Sequence, residues 1–128
     1  MKTGTDDGCP SPDIALEAFI AASTAQYAAT LEGDHKASNE AHDRVARAAD
    51  CLRRSAAGLR LLEGLVADHD EAVASKAALF VEDEKPEFAV PVFRRVARRK
   101  DLLGMMAKYA LERWEAGGRF RGEPEKEG

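Results

Sequence analysis

The stretch Leu59–Val81, LRLLEGLVADHDEAVASKAALFV, constrains the fold more than any other part of this chain. Apolar residues Leu62, Leu65 and Val66 precede the polar turn Asp68-His69-Asp70, and Val73, Ala77 and Phe80 follow it, at spacings that put each set on one face of a helix. Asp70 is placed to cap the second helix, and Glu71 to meet the positive end of its dipole. Two helices this short cannot bury their apolar faces alone, so neighbouring helices must cover them.

The chain has 128 residues, enough for one core and too few for two. Only 6% of it is aromatic, and alanine dominates the apolar set, which favours helices packed closely through small side chains. A net charge of -4 gives no global attraction to nucleic acid. The opening MKTGTDDGCP has no apolar run of the signal-peptide kind, and no stretch is apolar for long enough to cross a bilayer, so a cytoplasmic protein is expected. Cys9 and Cys51 lack a CxxC arrangement and are most simply free thiols in such a compartment. A disulfide is the minor alternative, open only if the first two helices run antiparallel.

In chain order, residues 1–10 read as a flexible leader, residues 11–118 as one helical domain and residues 119–128 as a frayed tail. Ser11-Pro12-Asp13 opens a helix carrying Leu16, Phe19, Ile20, Tyr27 and Leu31 on one face, and Gly33 ends it. Asp34 caps a second helix whose inward stripe is Ala37, Ala41, Val45, Ala48 and Leu52; Glu40, Asp43, Arg47, Asp50 and Arg54 face outward, and Gly58 closes it. After the acidic turn Glu82–Pro86 a fifth helix covers about Glu87 to Lys100. Pro91 either delays its start to Ala89 or distorts its first turn. Asp101 opens a sixth helix with Leu103, Met106, Ala107, Ala110, Leu111 and Trp114 along its apolar side, ended by Gly117-Gly118, with Phe120 able to fold back onto Trp114.

The second half repeats weakly: Lys76-Ala77-Ala78-Leu79 aligns with Lys108-Tyr109-Ala110-Leu111, which sets Leu61 against Phe93 and Val73 against Met105, a period of roughly thirty residues. The hairpin LLEGLVADHDEAVASKAALFV resembles a HEAT-type repeat. The run Gly33–Arg44, together with Gly104-Met105-Met106 through Leu111, Trp114, Gly118 and Phe120, resembles a small bacterial family of HEAT-like helical domains of unknown function, across about Ile14 to Phe120. His42 stands where that pattern leads one to expect tyrosine. The resemblance implies an all-α fold of about six helices, an N-terminal antiparallel hairpin followed by two HEAT-like hairpins, and supplies no catalytic motif.

No nucleophile elbow, phosphate loop or His-x-x-x-His pair is present, so no catalytic residue, cofactor or metal site is expected and an enzyme is not the favoured reading. His69 lies among carboxylates that are better used as helix caps. Asn39, His42 and Asp43 lie off the apolar stripe and form either a solvated face or a recognition patch. The clearest surface feature is Arg94, Arg95, Arg98 and Arg99 with Lys100, in two rows four residues apart. These cations either complement the helix dipole or meet an acidic partner.

The leading expectation is a non-enzymatic module that presents a helical surface to another protein, of an immunity or antitoxin type suited to blocking a basic effector. The alternative is nucleic-acid binding through the arginine face; a membrane partner is not expected.

Overall fold

The computed structural model describes residues 8–117, and all of their regular structure is helical. The order is α1 (Pro12–Glu32), α2 (His35–Leu52), α3 (Ala56–Gly64) running into a 3-10 turn (Leu65–Ala67), α4 (Glu71–Val81), α5 (Pro86–Val96) and α6 (Leu102–Gly117). The all-α architecture of six helices therefore stands. Residues 1–7 of the expected leader lie outside the described residues, as do Gly118 and the tail, so the expected contact of Phe120 with Trp114 falls there too.

Gly33 reverses the chain between α1 and α2. Its φ of 74° places it in the left-handed region, where its amide closes on the carbonyls of Ala29 and Thr30. Asp34 then caps α2, its Oδ1 accepting from the Ala37 amide at 3.0 Å. The two helices pack along their lengths, and the small stripe foreseen on α2 is what allows it: Ala41, Val45, Ala48 and Leu52 are buried, and so is Ala49. On α1 the buried set is Ala15, Phe19, Ala22, Ser23 and Ala29, with Leu16, Ile20 and Tyr27 partly covered. Leu31, expected on that inner face, is 59% exposed, because it lies two residues beyond buried Ala29 and so roughly 200° around the helix from it. Ser11 makes no side-chain cap; Pro12 at the first helical position starts α1 instead.

Antiparallel packing also decides the cysteines. It returns the end of α2 to the segment before α1, with the Cα atoms of Cys9 and Cys51 5.4 Å apart, and the two residues form a disulfide. The expectation of free thiols, which followed from the expected reducing compartment, is corrected: the alternative left open for an antiparallel hairpin is the one formed.

α4 is the centre of the domain. Val73, Ala74, Ser75, Ala77, Ala78 and Val81 are buried, covering most of its circumference, and it packs against α1, α3, α5, α6 and the 3-10 turn. Asp70 caps it as expected, accepting from the Ala72 amide at 3.0 Å. Phe80 meets Phe19 edge-on, the rings 5.9 Å apart at 81°, and joins α4 to α1. Arg53, just past α2, holds the far end of α4: it donates to the Phe80 carbonyl and to Glu84 Oε2, both at 2.7 Å.

Two boundaries differ from expectation. Gly58 does not close α2; it lies in the first turn of α3, where its amide donates to the Ser55 cap at 3.0 Å. α5 starts at Pro86, earlier than expected, and ends at Val96, before Lys100. Pro86 suits the first helical position, while Pro91 lies inside the helix at an exposed site midway along it, where the carbonyl of exposed Glu87 that loses its usual donor can turn to solvent.

Candidate functional site

The four arginines foreseen as one face divide into two pairs. Arg95 Nε donates to Glu71 Oε2 at 3.3 Å, and Arg99 Nη1 to Glu71 Oε1 at 2.7 Å. Arg99 also grips Asp101, with Nη2 2.6 Å from Oδ2 and Nε 3.1 Å from Oδ1. Asp101 in turn caps α6, accepting from the Gly104 amide at 3.2 Å. One guanidinium thus ties the start of α4 to the corner between α5 and α6. Hydrogen bonding from Arg99 holds the Asp101 carboxyl down at about 2 and lowers that of Glu71, while the same contacts raise the guanidinium's own pKa. Arg94 and Arg98 are exposed and have no side-chain ion pair among the described residues.

Asn39, His42 and Asp43 are all exposed on the N-terminal half of α2, a helix that packs chiefly on α1 and α3. The structure does not bring them together with the arginines. His69 is almost wholly exposed, with Nδ1 3.7 Å from Asp68 Oδ1. Among the described residues no group of three or more His, Cys, Asp or Glu is arranged to hold a metal ion.

A surface that the sequence did not single out lies on α6. Met105 and Tyr109 are 61% and 64% exposed, and Met106, expected on the apolar side, is 39% exposed. With Leu79 of α4 and Arg113 they line a shallow groove, and the Arg113 guanidinium lies 5.5 Å from the centre of the Tyr109 ring. Met105, Tyr109 and Arg113 recur every four residues, so each stacks one turn above the last. That period was visible in the sequence, but it runs alongside the buried stripe of Leu103, Ala107 and Ala110 and is hard to separate from it until α6 has been docked. Trp114, expected in the core, is half-buried.

Comparison with family models, with curated proteins and with solved structures finds no match to this chain. Among the described residues no helix is long and apolar enough to cross a membrane.

Proposed function

We propose that this chain is a non-enzymatic protein-binding module that docks its partner on α6. The observation that carries the reading is the exposed stripe of Met105, Tyr109 and Arg113 beside Met106 and Leu79, on a helix anchored from beneath by Leu103, Ala107 and Ala110. Met, Tyr and Arg are the residue types enriched at the centres of protein interfaces, and a helix face presents them with little entropy left to lose. The reading extends to a HEAT-like stack of hairpins and to an immunity or antitoxin role, in which an acidic protein of net charge -4 neutralises a basic effector.

The test is binding to the product of an adjacent gene, coexpressed and then purified. Tyr109→Ala and Met105→Ala should each weaken the complex by about tenfold or more, as interface anchors do, while Asp43→Ala leaves it unchanged. The second reading rests on Arg94 of α5 and Arg98 just past its end, both exposed and without a side-chain ion pair among the described residues. If duplex DNA or RNA binds with an affinity that falls steeply with salt, and Arg94→Ala with Arg98→Ala removes it, the nucleic-acid reading replaces the first.

A further inference from the structure

The space enclosed by α1, α4 and α6 is lined by polar groups that the protein does not satisfy. Ser23 on α1 and Ser75 on α4 are 1% and 9% exposed. Neither Oγ has a hydrogen-bond partner, nor does the buried Oε1 of Gln26, and all three side chains line the cavity. Lys76, the residue after Ser75, lines it too and is half-buried, with no carboxylate in ion-pairing range among the described residues. Burial alone pushes its ammonium pKa down, and no acid offsets the shift. The lining also includes apolar Phe93, Leu103 and Ala107, and the exposed residues Thr30 and Met106.

We propose that this cavity is a binding site for a small organic acid, with its apolar body against Phe93 and Leu103 and its carboxylate against Lys76 and the hydroxyls of Ser23 and Ser75. The cavity volume is about 40 Å³, room for a few non-hydrogen atoms and well short of the roughly 150 Å³ of a cavity that accepts benzene. An acetate, with one methyl group behind its carboxylate, suits that size. A carboxylate accepts from hydroxyls and ammonium together, and supplies the countercharge that Lys76 lacks. Water would satisfy the serines but would leave the cation unpaired and wet an apolar wall. A phosphate would place two charges against one cation and have no use for the Phe93 side.

The test is calorimetric and NMR titration of the full chain with acetate, compared with its neutral amide, acetamide. The acid should bind saturably, moving the amide resonances of Ser23, Ser75 and Phe93, and should bind about tenfold or more tightly than the amide. Lys76→Met, which keeps the side-chain length and removes a desolvated charge, should bring the acid down to the affinity of the amide and leave the amide itself unchanged. Lys76→Arg should retain preference for the acid. Equal binding of acid and amide by the unaltered protein, no effect of Lys76→Met, or no movement of those resonances at saturating millimolar ligand would overturn the proposal and leave a water-filled cavity only. The comparison of acid with amide in the unaltered protein needs no variant to fold.

Discussion

Gly104 lies so close over the carbonyl of Arg99 that no side chain fits between them. Gly58 has the same relation to the carbonyl of Leu52. Each is the third residue after a helix cap, Ser55 in one case and Asp101 in the other, and each amide donates to that cap. The corners between α2 and α3 and between α5 and α6 are therefore built alike: the preceding helix ends against the first turn of the next.

Gly104→Ala should destabilise the protein by about 2–3 kcal/mol, the scale of overpacking against backbone that cannot yield. Gly64 is the control. It is helical, with φ -66°, and has open space where a Cβ would go, so Gly64→Ala should stabilise by about 0.5–1 kcal/mol. Urea unfolding of the two variants measures both signs. A harmless Gly104→Ala would mean that the α5–α6 corner is looser than described.

The disulfide of Cys9 and Cys51 closes a loop with a sequence separation of 42 residues. Chain entropy puts such a closure at about 4 kcal/mol, and native disulfides commonly contribute about 2–4 kcal/mol. Cys51→Ser, or reduction of the unaltered protein, should lower unfolding stability by that amount. Equal stability of oxidised and reduced protein in denaturant titrations would contradict it. Because the bridge fixes the start of α1 to the end of α2, proteolysis at residues 8–11 should also accelerate on reduction.

Asp101 gives a pH dependence of definite sign. Arg99 holds its carboxyl down to about 2 in the fold, whereas in an unfolded chain the group titrates near 4. The unfolded state thus takes up the proton first as pH falls, so the stabilisation is complete above about 4 and is lost as pH drops through about 2. Glu71, lowered chiefly by the same guanidinium, acts in the same direction. Thermal unfolding from about pH 6 to about pH 2 should show Asp101→Asn less stable than the unaltered protein at the upper end, with the gap closing at the lower. A gap independent of pH would show that the Arg99–Asp101 pair contributes nothing electrostatic.

Helix identity was legible where local chemistry and periodicity agreed. Gly33, Asp34 and Asp70 act as the sequence leads one to expect, and the alanine stripe of α2 faces α1. What was not legible depends on contacts distant along the chain. Gly58 reads as a helix stop unless the Leu52 carbonyl beneath it is known. The arginine cluster reads as one patch unless Glu71, twenty-four residues before Arg95, is known to neutralise half of it. The pairing of the cysteines required the packing of α1 on α2, and the α6 face and the Lys76 cavity that of α1, α4 and α6. Lys76 alone left a trace, as the sole cation on a helix otherwise apolar around most of its circumference.

The docking of a partner on α6 is tested most directly by placing a photo-reactive amino acid at position 109, and in parallel at position 43 on α2, in the full chain in its native cells. The account expects a covalent adduct with one protein from position 109 and none from position 43, with the adduct at 109 lost when Met105→Asp is added. An adduct with nucleic acid, an adduct from position 43 alone, or none from either position would contradict it.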